Sequence, residues 1–356
     1  MSSITLATKY RPSKFEDVTE QQYIKEILTN QIISKSIKNA YLFCGGAGTG
    51  KTTTARIFAK EINAGQGTPV EVDAASNNGV EQIRIIIDDA KFKALDSEYK
   101  VYILDEVHML SIGAWNAMLK LLEEPPKTTI FILCTTDPQK IPATILSRVQ
   151  RYDFQRISFD GIVNRLSYII EKENAEMCDN CGNDFTEEEA QRLLIDYEKE
   201  AIQYIAKIAD GGMRDAISLL DKCLSFSRNL TLENVINALG VSDYDNLLDM
   251  TVALLKNHNE AKLDIIENIY RQGKDLKQFI KQLLNCAIDI NKYLIYNSYD
   301  YIQIPNTFDL TVYKQYDTAI LLDLVDMLIK LNTQIKYETN PKVLIESYLL
   351  LFNKKG

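Results

Sequence analysis

The stretch Gly45-Gly-Ala-Gly-Thr-Gly-Lys-Thr52 fits the pattern G-x-x-x-x-G-K-[ST] and lies between a run that reads as a strand and one that reads as a helix. Glycines at that spacing let the backbone curl until successive N–H groups point at phosphate oxygens. The positive end of the following helix adds to the pull. Backbone groups from Gly45, Gly46, Ala47, Gly48, Thr49 and Gly50 through to Thr53 would then cradle a triphosphate. Lys51 would reach the β- and γ-phosphates, and the Thr52 hydroxyl would bind Mg²⁺. ATP and Mg²⁺ are the cofactors this chemistry predicts.

Val101-Tyr-Ile-Leu-Asp-Glu-Val-His108 is the matching second half: an apolar strand ending in paired carboxylates. Asp105 is placed to hold the magnesium through its water shell. Glu106 is placed to orient and activate an attacking water, which favours hydrolysis over switching. His108 reads as a solvated or hydrogen-bonded loop histidine. A third apolar run, Ile130-Phe-Ile-Leu-Cys-Thr-Thr-Asp-Pro138, ends in hydroxyls. A threonine at its tip would feel the γ-phosphate if the run lies beside the strand of Asp105; a turn-forming Thr-Asp-Pro fits the spacing equally well.

Elements of a definite kind must hold these groups. Tyr41–Cys44, Pro69–Val72, Val101–Leu104 and Ile130–Cys134 read as buried parallel strands. Helical patterns separate them: Lys51–Ile62 after the glycine turn, and Trp115, Met118, Leu119 and Leu122 as one stripe stopped by Pro125-Pro126. The alternation predicts an α/β domain, a parallel sheet with helices on both faces, over residues 1–157. Past Ile157 the strand signal fades. Residues 158–240 read as a small helical domain, with Ala216, Leu219, Leu220, Cys223 and Leu224 on one stripe and Thr231 as a helix cap. Residues 241–356 read as helix after helix, with Tyr/Asn-rich connections near 293–310.

Composition narrows the class. The chain has 356 residues, 46% of them hydrophobic and 25% charged, which suits two to three globular domains. No apolar run is long enough to cross a bilayer, and the N-terminus lacks the apolar core of a signal peptide. Six scattered cysteines suggest a reduced, cytoplasmic location. With only two histidines a His-based zinc enzyme is not expected. The net charge of −9 is uneven: residues 171–200 hold eleven acidic and three basic side chains, whereas residues 1–60 hold nine basic and four acidic. Local contact with nucleic acid is therefore compatible with an acidic sum.

Taken together, Lys9-Tyr-Arg-Pro12, the phosphate loop, Asp73-Ala-Ala-Ser-Asn-Asn-Gly79, Asp105-Glu-Val-His-Met-Leu110, Leu121-Leu-Glu-Glu-Pro-Pro126, Thr135-Thr-Asp-Pro-Gln-Lys140, Leu146-Ser-Arg148 and Gly212-Met-Arg-Asp-Ala216 resemble the gamma/tau subunits of the bacterial DNA polymerase III clamp loader, which are AAA+ ATPases. The motifs cover about residues 5–240. The resemblance implies an AAA+ domain, a helical lid and a helical collar. It implies assembly with copies of itself and delta- and delta-prime-like subunits in an open ring of five. It further implies ATP-dependent opening of a sliding clamp, and hydrolysis triggered by primer–template DNA. By motif, Thr136 is similar to the sensor at the third strand tip and Arg148 to the arginine finger serving a neighbour's γ-phosphate. Arg214 resembles the second-domain sensor, and Ala7, Arg11, Pro12 and Val18 the segment packed on adenine. Arg84, Lys91 and Lys93, on the helix beginning near Asn78, are candidate contacts to the template backbone. The neighbourhood Met109–Trp115 is a candidate clamp contact, with Trp115 equally readable as core.

The chain departs from that family in three places. The usual four-cysteine zinc module before Asp73 is replaced by Ala64-Gly-Gln-Gly-Thr68, so no zinc is carried over. The family's Ser-Arg-Cys is Ser147-Arg148-Val149. Residues 177–196 look like an acidic insertion holding a lone Cys178-x-x-Cys181, two ligands where zinc needs four. The compact first domain and an end near the collar, without the extension of the tau form, suit a phage-encoded or divergent member. A branch-migration helicase of the same class and an ATP-binding scaffold with little turnover are the competing readings.

Overall fold

The structure, a computed structural model, describes residues 4–180, 194–239, 244–299, 301–305 and 308–352. The chain divides into two compact units, Met1–Leu230 and Thr231–Gly356.

Within the first unit, five strands among the described residues form one parallel sheet: β1 (Ala40–Cys44), β2 (Val70–Asp73), β3 (Lys100–Asp105), β4 (Thr129–Thr135) and β5 (Gln150–Asp153), in the order β2-β3-β4-β1-β5. The apolar runs are continuous because both faces are covered. Leu42, Leu104 and Leu133 pack on one face under α4 (Val80–Asp89), α5 (Ile112–Glu123) and α6 (Ala143–Leu146). Tyr41, Phe43, Ile103 and Ile132 pack on the other against α2 (Gln22–Ile33) and α3 (Lys51–Ile62). A large side chain sealed this way contributes roughly 1.5–3 kcal/mol, so the three central strands anchor the domain. The register pairs Cys44 with Thr135 and Asp73 with Asp105. The carboxyl ends of β1, β3 and β4 therefore share one edge, where ligands bind in such folds.

Several expectations need correction. β2 is an exposed edge rather than a buried strand: Val70, Glu71 and Asp73 face solvent, because only β3 pairs with it. β5 carries no apolar run that would mark it as a strand. Its sequence, Gln-Arg-Tyr-Asp, buries a single side chain, Tyr152, and its other neighbour position is empty among the described strands. α4 ends at Asp89, so Lys91 and Lys93 lie in the turn beyond it. Trp115 belongs to the core, 4% exposed. α3 spans the expected residues.

Residues after Ile157 form α7 (Phe159–Asn180), α8 (Lys199–Ala209) and α9 (Met213–Phe226), which pack on one another. A small parallel pair unseen in the sequence, β6 (Asp196–Tyr197) with β7 (Asn229–Leu230), ties their ends. Before the sheet, α1 (Leu6–Lys9) lies against α9. Most of the acidic insertion, with Cys181, lies outside the described residues; Cys178 is exposed near the end of α7.

The second unit is helical: α10 (Leu232–Leu239), α11 (Tyr244–Leu255), α12 (Asn259–Arg271), α13 (Leu276–Tyr296), α14 (Thr318–Gln334) and α15 (Pro341–Leu351). Thr231 caps α10, its hydroxyl accepting from the Asn234 N–H at 3.2 Å. α13 runs on to Tyr296, so the Tyr/Asn-rich connection begins only at Asn297. Among the described residues no helix is long and apolar enough to cross a membrane.

Candidate nucleotide-binding and catalytic site

A cavity of about 480 Å³ opens at the sheet edge. The loop after β1, the tips of β3 and β4, the N-terminal strap and the start of α9 all line it. Gly48 adopts φ +70°, a conformation open to glycine at little cost. A β-carbon there would meet the Cα of Gly212 at 2.9 Å. The Met213 N–H donates to the Gly48 carbonyl at 3.0 Å, so α9 is seated directly on the phosphate loop.

Lys51 is nearly sealed, 6% exposed, and its Nζ donates to the carbonyls of Gly45 (2.9 Å) and Gly46 (2.7 Å). Burial pulls its pKa down, while the Glu106 and Asp105 carboxylates act in the opposite direction. A buried ammonium hydrogen-bonded to two carbonyls, with the Glu106 and Asp105 carboxylates near enough to favour its charge, is suited to binding an anion. Thr49 serves the loop itself, its hydroxyl donating to the Gly46 carbonyl at 2.9 Å. The Thr52 hydroxyl donates to Asp105 Oδ2 at 2.6 Å. These are hard oxygen donors in contact, the set that suits Mg²⁺.

Glu106 sits in the left-handed region, φ +48°. For a residue with a side chain this costs on the order of 1–3 kcal/mol. Its Oε2 accepts from the Thr136 hydroxyl at 2.9 Å and lies 3.2 Å from His108 Nδ1. His108 Nδ1 is also 3.2 Å from Thr135 Oγ1. His108 is thus a hydrogen-bonded residue of the short 3-10 turn Val107–Met109, its ring bonded to Thr135 and lying close to the Glu106 carboxylate.

Of the residues expected at the site, Ala7, Arg11, Pro12, Ala47, Gly48, Gly50, Lys51, Thr52, Thr53, Asp105, Glu106, Thr136 and Arg214 line the cavity. Gly45 and Gly46 stand behind it as acceptors for Lys51. Val18 does not reach it: the side chain is buried in the sheet core, and Thr19 lines the wall instead. Arg148 is not in the wall. It is exposed, with Nη2 on Glu123 Oε1 at 2.6 Å and Nη1 on the Thr144 carbonyl. Tyr10, Arg56, Ile157, Arg165, Met213, Asp215 and Ile217 complete the lining and carry no assigned role in the sequence reading. Met213 and Asp215 flank Arg214 in its own motif, a signal that could have found them; Arg165, on α7, carries none. Arg84 and Lys91 are exposed but paired locally, with Glu81 at 2.6 Å and Asp88 at 2.7 Å; Lys93 is exposed.

A parallel sheet with a phosphate loop at its edge and a helical lid over that loop defines an AAA+ type of nucleotide-binding protein. The comparisons narrow the class. Family models match residues 68–158 (DNA polymerase III, delta subunit), 189–229 (DNA polymerase III clamp loader subunit, ATPase lid domain) and 230–350 (DNA polymerase III subunits gamma and tau domain III). The chain is 36% identical to the DNA polymerase III subunit tau of Bacillus subtilis over 97% of its own length and 62% of that protein. It is 34% identical to the DNA polymerase III subunit gamma of Buchnera aphidicola, covering 78% of this chain and 77% of that one. The chain belongs to the gamma/tau family of bacterial DNA polymerase III clamp-loader subunits. Membership implies ATP binding of the AAA+ kind. Against the tau/gamma relative from Haemophilus influenzae the chain spans 42% of the length. Among solved structures, the Thermotoga maritima RuvB Holliday junction branch migration motor matches with a TM-score of 0.50 at 17% identity, over 68% of this chain and 79% of that one, a likeness of fold.

Proposed function

We propose that the chain is the ATPase subunit of a sliding-clamp loader, in which ATP binding opens the clamp and primer–template DNA triggers hydrolysis and release. The observation that carries this reading is the convergence of Lys51, Thr52, Asp105, Glu106, Thr136 and Arg214 on one cavity. Lys51 exchanges its two carbonyl partners for the β- and γ-phosphate oxygens, which restores a counter-charge to the buried ammonium. Thr52 and Asp105 would hold Mg²⁺, which would supply neutralising charge to the triphosphate. Glu106 orients the attacking water and takes its proton. Thr136, now donating to Glu106, is placed to donate to the γ-phosphate and free the carboxylate. Arg214 supplies positive charge from the lid side. Ala7, Arg11 and Pro12 form the wall for the adenine.

Arg148 acts on a neighbouring subunit. It is absent from the wall of its own cavity and exposed at the surface. A guanidinium supplied from the next subunit stabilises charge developing on the transferring phosphoryl group, an effect worth about 10³–10⁵ in rate in related chemistry. Turnover then requires the assembly, built from copies of this chain with delta- and delta-prime-like partners. Arg84, Lys91 and Lys93 make salt-sensitive contacts to the DNA backbone, Arg84 and Lys91 once Glu81 and Asp88 let go. The direct test is phosphate release by the chain alone and with partner subunits, clamp and primed DNA. Stimulation of about tenfold or more is expected. Equal rates would favour an ATP-holding scaffold, and unwinding of a forked duplex without a clamp would favour a helicase.

A further inference from the structure

Lys9 and Tyr10 belong to the motif Lys9-Tyr-Arg-Pro12, yet no step of the hydrolysis needs them. Their polar ends reach the lid: Lys9 lies outside the cavity lining, and Tyr10, which lines it, directs its hydroxyl to α7. Lys9 Nζ lies 2.5 Å from Glu173 Oε1 and 2.5 Å from Glu176 Oε2. The Tyr10 hydroxyl donates to the same Glu173 oxygen at 2.7 Å. Arg165, also on α7, donates to the Tyr10 carbonyl at 2.9 Å. At the start of the strap the Leu6 N–H donates to Asp221 Oδ2 on α9 at 3.2 Å. Only at Phe15 and Val18 does the chain enter the core of the sheet domain.

The residues that line the base end of the cavity, Ala7, Arg11 and Pro12, are thus interleaved with residues bolted to α7 and α9. The bolts are substantial for a surface. Two donors share one carboxylate that is three-quarters covered, its side chain 23% exposed. A charge-assisted hydrogen bond of this kind is worth more than an exposed ion pair. Burial acts to raise the Glu173 pKa, but the bonds from Lys9 and Tyr10 outweigh it and hold the carboxyl below its ordinary value.

We propose that Lys9, Tyr10 and Glu173 are positioning residues for the nucleobase: they make the strap a part of the lid, so the lid sets affinity for the base while the phosphate loop sets affinity for the triphosphate. This inference rests on the nucleotide-site reading above. It predicts that base recognition and phosphate recognition can be separated by substitution at a residue touching neither.

The experiment compares binding of ATP with that of inorganic tripolyphosphate, both with magnesium, to the full chain. Glu173→Ala is expected to weaken ATP binding about tenfold, the equivalent of one lost charge-assisted bond, with tripolyphosphate binding within about twofold of the parent. Lys9→Met removes one of the two donors to Glu173 from a residue outside the cavity lining and serves if Glu173→Ala folds poorly; about a threefold loss for ATP alone is expected. A merely structural weakening of the lid would move both ligands together. Unchanged ATP binding in both variants, or equal losses for the two ligands, overturns the inference. Lys51→Ala is the control: if it binds both ligands as the parent does, the nucleotide-site reading itself falls, and this inference with it.

Discussion

At the scale of single residues, the site is a set of charged and hydroxyl groups that bond to one another and to the loop backbone. Glu106 shows this most clearly. It holds a left-handed backbone and its carboxylate is engaged by Thr136 and His108. Such strain persists where surrounding contacts over-determine it. Glu106→Gln should bind ATP within about threefold of the parent and lose at least about a hundredfold in turnover, read by nucleotide titration beside phosphate release. Retained turnover would remove Glu106 from the water-activating role. Most of these groups were legible in the sequence because each motif is contiguous: strand, turn and functional group lie within eight or nine residues. Val18 and Thr19 show the limit of reading by position: one residue along the chain separates a side chain buried in the core from one that lines the cavity. Arg165 escaped because its bond to the Tyr10 carbonyl joins segments far apart in the chain, which no local pattern encodes.

At the scale of elements, lid and loop meet at a pair of glycines. A β-carbon on Gly48 would clash with the Gly212 backbone and suffer the cost of φ +70° besides. Gly48→Ala should therefore lower the stability of the first unit by about 1–3 kcal/mol and weaken ATP binding together with it, checked by urea unfolding and nucleotide titration. Glu173 makes a pH prediction. Its folded pKa lies below the unfolded one, so its contribution is complete above the ordinary carboxylate value and disappears as pH falls through the folded one. The stability gap between parent and Glu173→Ala should be constant from about pH 5.5 to 8 and close below about pH 4. Helices and central strands were readable here because burial on two faces writes long apolar runs. β5 and the β6–β7 pair were not: they are short, half polar and defined by backbone pairing rather than by side-chain burial.

At the scale of the whole molecule, the second unit carries its own anchor. Lys262 is fully buried, its ammonium donating to Asn257 Oδ1, Asn259 Oδ1 and the Leu349 carbonyl, which ties α12 to α15. Lys262→Met should strand those acceptors and lower the stability of that unit by roughly 1–3 kcal/mol in urea unfolding, with ATP binding unchanged. Composition announced helices here but not this lysine, since a buried cation looks like a surface one until the fold surrounds it. The central claim is that a triphosphate gripped by one subunit is turned over with help from the next. The measurement that tests it most directly is phosphate release by the complete assembly, with clamp and primed DNA, containing either the parent chain or Arg148→Ala. The account predicts that Arg148→Ala binds ATP normally as an isolated chain and loses at least about a hundredfold of the stimulated rate in the assembly. Full stimulation with Arg148→Ala, or an equal loss of ATP binding in the isolated chain, would contradict it.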